Sequence, residues 1–86
     1  MKILWDERAW AEYCEWQIQD KKTLKRINTI LRDIQRGDDG GIAKPELLKG
    51  NLSGYSSRRI DNVNRIVYKV TDDVVVVISC KGHYSN

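Results

Sequence analysis

The sequence predicts an α+β domain of order β-α-α-β-β-β, with two N-terminal helices packed on one face of a mainly antiparallel, twisted sheet. Three observations predict this class. Apolar residues recur at helical spacing from about residue 7 to residue 36, and the pattern turns to strand-like alternation from about Arg58. Short Asp- and Asn-rich stretches then separate the late apolar runs at hairpin distances. The 86 residues suit a single domain, residues 1–86, near the size at which one hydrophobic core is just sufficient. Apolar residues make up 41% of the chain and charged residues 31%, enough hydrophobicity to fold rather than remain disordered.

The opening "KILW" is a short apolar-rich first strand. Asp6 is a good N-cap, Glu7 suits the positive end of a helix, and Trp10, Tyr13, Cys14 and Gln17 follow at spacings of three and four. Asp20 can cap a second helix, in which Leu24, Ile27, Leu31 and Ile34 repeat with Ile30 beside them, and Gly37 ends it. Its other faces carry Lys21, Lys22, Lys25, Arg26, Arg32 and Arg36, which read either as a solvated face or as a partner-binding one. Trp5, Trp10 and Trp16 read as core and helix-to-sheet packing ahead of base-stacking platforms, because all three precede the basic half of the chain.

"GDDGG" and Pro45 bracket a loop, and "KPELLKGNLSGYSS" continues as irregular chain. The strands "RRI" and "RIVYKVT" are joined by "DNVN", and "DD" reverses the chain into "VVVVISC". Alternation in the middle strand puts Ile66, Tyr68 and Val70 on one face and Arg65, Val67 and Lys69 on the other. One face covers the helices, so the opposite face carries Arg65.

No apolar run approaches the ~18 residues of a membrane span, and the start becomes charged too early for a signal peptide, so a soluble, cytoplasmic protein is expected. The two cysteines, Cys14 and Cys80, form no CxxC and have no His at zinc-like spacing; two reduced thiols are expected. No metal or cofactor is expected, since no carboxylate cluster of Mg²⁺ type occurs. The formal charge is +3. Residues 1–43 hold eight Lys/Arg against eight Asp/Glu, and residues 44–86 seven against four. The excess in the second half suits a polyanionic partner.

The basic half also holds the groups that could move protons. Glu46 lies between Lys44 and Lys49, and the single His83 follows the last strand. Alone, Glu46 reads as an ion-pair partner and His83 as a surface residue. Together with cations they supply the parts needed to cleave RNA through its own 2′-hydroxyl: a base for the 2′ proton, charge for the phosphorane oxygens, an acid for the departing 5′ oxygen. Glu46 is the candidate base, His83 the acid, and Arg65 with Arg59 or Lys49 the clamp. An imidazole holds and releases a proton near neutrality, which suits the acid role.

"KPELLKGNLSGYSSRRI", "NRIVYKVTDD" and "HY" closely resemble the YoeB-type toxins of the RelE/ParE superfamily, and the opening "MKILW" and both helices line up as well. The resemblance implies a bacterial toxin of a toxin–antitoxin pair, an mRNA interferase that enters the ribosomal A site and cuts the message there. It implies Glu46 as general base, His83 as general acid, Arg65 as transition-state stabiliser and Tyr84 as a substrate-orienting residue. Lys44, in the same loop, with Lys49 and Arg59 completes the RNA- or phosphate-binding set. The implied partners are a YefM-like antitoxin, the 70S ribosome with its mRNA, and a second copy of the toxin. Two departures stand out: Ser85 and Asn86 follow the His-Tyr pair at which family members commonly end, and Gly82 precedes it. Gly82 either loosens the approach to His83 or closes the last strand with a bend.

The residues also admit two other functions. A ParE-type gyrase poison shares the fold but generally lacks the Glu/Arg/His-Tyr set, and a basic nucleic-acid-binding module would have no use for Glu46.

Overall fold

The computed structural model describes residues 1–37 and 41–82. Its elements are β1 (Lys2–Trp5), α1 (Glu7–Gln19), α2 (Lys21–Gln35), β2 (Glu46–Leu47), β3 (Ser56–Arg59), β4 (Arg65–Thr71) and β5 (Val74–Ser79), with a 3₁₀ turn at Gly50–Leu52. The strands form one five-stranded sheet in the order β1-β5-β4-β3-β2. β1 runs parallel to β5, and every other pairing is antiparallel. Both helices pack on one face, as the pattern predicts. The irregular stretch after Pro45 contains one addition, the two-residue strand β2, and β3 begins two residues earlier than the sequence pattern suggests.

Local chemistry explains where the helices start. The Asp6 carboxylate accepts from the Arg8 amide at 3.2 Å. Asp20 accepts from the amides of Lys22 and Thr23 at 3.0 and 3.2 Å and from the Thr23 hydroxyl at 2.8 Å. Those donors, the Thr23 hydroxyl foremost, hold the Asp20 carboxyl below its ordinary range. Gly37 takes φ +73° just past α2, and its amide donates to the Ile34 carbonyl.

The α2 stripe lies where its spacing puts it: Ile27, Ile30, Leu31 and Ile34 are buried against Ile66, Tyr68, Val75 and Val77 of the sheet. Each such side chain contributes about 1.5–3 kcal/mol when fully buried. In α1 the inward stripe is Ala9, Glu12 and Trp16, not the Trp10, Cys14 and Gln17 series. Trp10 is half exposed and stacks with Tyr13 and Trp5 at the surface, and Trp5 packs part-buried against the core, so only Trp16 of the three Trp residues is a buried one. Glu12 can take an inward position because its carboxylate finds a backbone donor there.

The hairpin between β4 and β5 turns on Asp72 and Asp73 alone, with Thr71 paired to Val74. Both Asp residues have positive φ, 48° and 63°, as a two-residue hairpin turn of mirror-image type requires. On the helix-facing side of β3, Arg58 is fully buried: its Nε donates to the Tyr68 hydroxyl at 3.0 Å and its guanidinium to the Ile42 carbonyl at 3.1 Å. The Ile42 amide donates to Asp33 at 2.8 Å, and Asp33 also pairs with Arg36. The end of α2 and the middle of β3 therefore both hold the loop that leads into Glu46.

Candidate active site

The register of three strands assembles the site. Glu46 of β2 lies opposite Ser57 of β3, Ser57 opposite Val67, and Arg59 opposite Arg65 of β4. Residues directly opposite in an antiparallel pair point to the same side, so Glu46, Ser57, Arg59 and Arg65 share the face turned away from the helices. The alternation read in β4 is correct on this point.

A guanidinium nitrogen of Arg65 lies 3.9 Å from a Glu46 carboxylate oxygen and 3.4 Å from the Ser57 hydroxyl. The two partners differ in burial: the Arg65 side chain is 19% exposed and that of Glu46 55%. The guanidinium is thus held low in the sheet, with the carboxylate above it facing solvent. Lys44, Lys49 and Arg59 are exposed, and Lys49 stands at the start of the 3₁₀ turn that follows β2. An ionised carboxylate can accept a proton at this position, and a planar cation beneath it can bond the oxygens of a phosphoryl group.

Residues 80–82, which follow β5, are fastened one by one. The Cys80 amide donates to the Glu12 carboxylate at 2.8 Å, and the Trp16 indole donates to the Cys80 carbonyl at 2.9 Å. The Lys81 ammonium donates to Glu15 at 2.8 Å and to Gln19 at 3.2 Å while lying over the Trp16 ring. The Gly82 amide donates to the Asn64 side-chain oxygen at 2.7 Å, and the Arg65 amide donates to the Gly82 carbonyl at 3.1 Å. Gly82 has φ +77°, a bend favoured by glycine, as the reading of a bend after the last strand requires; the approach to His83 lies outside the described residues. Burial, aided by the charges of Glu12 and Glu15, pushes the Cys80 thiol up to about 12. Both cysteines are free thiols.

Among the described residues no group of three or more His, Cys, Asp or Glu side chains comes together to hold a metal ion, and no helix is long and apolar enough to cross a membrane.

Residues 5–84 match the YoeB-like toxin family of bacterial type II toxin–antitoxin systems. The chain belongs to this family. Toxin YoeB of Synechocystis is 50% identical over 84 residues, covering 98% of each chain. Among solved structures, a YoeB/ParE toxin from Agrobacterium tumefaciens superposes with a TM-score of 0.92 at 40% identity, covering 98% of this chain and all of that one. YoeB of Staphylococcus aureus, solved both in complex with YefM and as a dimer, is 44–45% identical with a TM-score of 0.89 and 98% coverage of each chain. The two-helix, five-strand architecture is that of these YoeB neighbours, and the protein is a toxin of a toxin–antitoxin pair.

Of the residues that the YoeB resemblance singles out, Glu46, Arg59 and Arg65 lie together on one sheet face, with Lys44 and Lys49 exposed on either side of β2. His83 and Tyr84 lie outside the described residues; Gly82, which precedes them, is bonded to Arg65. Sequence reasoning missed Ser57, Glu12 and Asn64. An acidic residue on the same helical stripe as Ala9 and Trp16 was a usable signal for Glu12, whereas Asn64 reads as an ordinary turn residue.

Proposed function

We propose that this toxin is a cytoplasmic, ribosome-dependent endoribonuclease that cuts mRNA in the ribosomal A site by attack of the RNA's own 2′-hydroxyl, and so blocks translation. Glu46 takes the 2′ proton and the freed oxygen forms a bond to the adjacent phosphorus. Arg65 bonds the non-bridging oxygens as their charge grows. His83 gives its proton to the 5′ oxygen as the P–O bond breaks, leaving a 2′,3′-cyclic phosphate and a 5′-hydroxyl. Tyr84 orients the substrate, and Lys44, Lys49 and Arg59 bind its phosphates. The nucleophile comes from the substrate, so the reaction needs no metal. The observation that carries this reading is the Glu46–Arg65 approach of 3.9 Å, with the Glu46 side chain exposed, on the sheet face turned away from the helices.

A YefM-like antitoxin and a second copy of the toxin are the proposed protein partners, by analogy with the Staphylococcus aureus YoeB complex and dimer. The test is Glu46→Gln in a ribosome assay with a programmed message. The amide keeps the volume and the fold but cannot accept the proton, so cleavage should fall by about 10²- to 10⁴-fold with ribosome binding retained. A message with 2′-deoxyribose 5′ to the cut should resist the wild-type toxin, and EDTA at levels that spare the ribosome should leave normal cleavage intact. Wild-type rates in Glu46→Gln would remove the base assignment. Growth arrest with broken DNA and intact messages would point to gyrase poisoning.

A further inference from the structure

Asn64 ends the β3–β4 turn, and each polar atom of its side chain is engaged. Its Nδ2 donates to both Asp61 carboxylate oxygens, at 3.2 and 3.0 Å, and its Oδ1 accepts from the Gly82 amide at 2.7 Å. With a carboxylate on one side and an N–H on the other, the orientation of the amide is fixed chemically. The turn itself is rigid: Asp61 also accepts from the Val63 and Asn64 amides at 2.8 and 2.7 Å, and the Asn64 carbonyl accepts from the Ile60 and Asp61 amides. The next residue is Arg65, whose amide holds the Gly82 carbonyl at 3.1 Å. The last residue of the turn and the first of β4 therefore grip both sides of Gly82, and the second of them bears the guanidinium of the site.

We infer that Asn64 is a positioning residue for cleavage, fixing through Gly82 where the chain leaves the sheet beside Arg65. The inference rests on the assignment of His83 as general acid, since His83 follows Gly82 directly in the sequence. Asn meets both demands of the position. An Asp there would set a second carboxylate against Asp61, and an Ala would leave the Gly82 amide without this acceptor. A shift of about 1 Å in a group that must meet the leaving oxygen can cost on the order of 10²-fold in rate. Gly82 offers an independent perturbation of the same path: a Cβ added there meets nothing within 4 Å, so Gly82→Ala strains only the φ of +77°.

The experiment compares wild type, Asn64→Ala, Gly82→Ala and His83→Gln on two ribosome-bound messages, one normal and one with sulfur as the 5′-bridging atom at the cut. Thiolate leaves without an acid. On the normal message Asn64→Ala and Gly82→Ala should lose about 10- to 100-fold in kcat with KM within about threefold. On the sulfur message both should return to within about fivefold of wild type, as His83→Gln should, because the acid step no longer limits. If His83→Gln recovers on sulfur while Asn64→Ala and Gly82→Ala stay equally slow on both messages, the inference is wrong and the acid assignment stands. If His83→Gln itself fails to recover, the assignment falls and the inference with it. Should Asn64→Ala not fold, which its thermal unfolding would reveal, Gly82→Ala decides by the same comparison.

Discussion

Replacing Glu12 tests whether the tail beyond β5 is fastened from α1. The Glu12 carboxylate is almost fully buried and accepts from the buried Cys80 amide at 2.8 Å, while its contact to Arg8 is at 3.2 Å with the Arg side chain 69% exposed. The exposed ion pair is worth only about 0.3–0.5 kcal/mol. The bond to the amide is worth about 1.5–3 kcal/mol, and an amide left buried without a partner costs a similar amount. Removing the carboxylate also returns its own desolvation cost, so Glu12→Ala should destabilise by about 2–3 kcal/mol net. Glu12→Gln keeps an oxygen for the Cys80 amide and should cost about 1 kcal/mol. A domain of this size has roughly 4–13 kcal/mol of stability in all, and each kcal/mol moves the midpoint by about 4–8 °C. Thermal unfolding followed by circular dichroism should therefore show a drop of about 10–20 °C for Glu12→Ala and about 4–8 °C for Glu12→Gln. Equal midpoints for the two variants, or a loss under about 3 °C for Glu12→Ala, would refute the reasoning.

Arg65→Ala should slow single-turnover cleavage with little change in ribosome affinity, since its charge is assigned to the transition state. Lys49→Ala should instead weaken binding and reduce the salt slope by about one; equal binding losses in both would remove this division of roles. The Cys80 thiol makes stability depend on alkaline pH: its folded-state value, near 12, lies above its ordinary value near 9. Its stabilisation is then complete below about pH 9 and is lost as pH rises toward 12, with a slope up to about 1.4 kcal/mol per pH unit. Urea unfolding of wild type and Cys80→Ala from pH 8 to 11 should converge as pH rises, and parallel curves would contradict the buried-thiol assignment.

Features determined locally were legible in the sequence. Asp6 and Asp20 cap helices through amides two and three residues away, the "DD" reversal needs only its own two residues, and α2's stripe follows from its spacing. Alternation placed Arg65 on the face turned away from the helices, and the resemblance singled out Glu46, which the pairing of β2 with β3 brings to that face. β2 was not legible, because two residues carry no period and its strand character comes from pairing with β3. Glu12 and Asn64 escaped for a related reason. Their decisive bonds, to Cys80 and Gly82, span 68 and 18 positions, and periodicity does not report a partner so distant. Trp10 shows the opposite error: an aromatic residue at helical spacing stays half exposed and meets the core only through the part-buried rings of Trp5 and Tyr13.

The parallel pairing of β1 with β5 has a consequence for the birth of the molecule. Lys2 pairs with Val74, seventy-two positions later, and among the described residues β1 pairs with no other strand. At synthesis rates of 5–20 residues per second, roughly 4 to 14 s pass between the making of one partner and the other. Through that interval the first strand waits, and α1 has nothing yet to fasten, since the residues that Glu12 and Trp16 hold come later still. A ribosome translating this message is therefore not exposed to a finished toxin from its own nascent chain until Cys80, Lys81 and Gly82 have emerged.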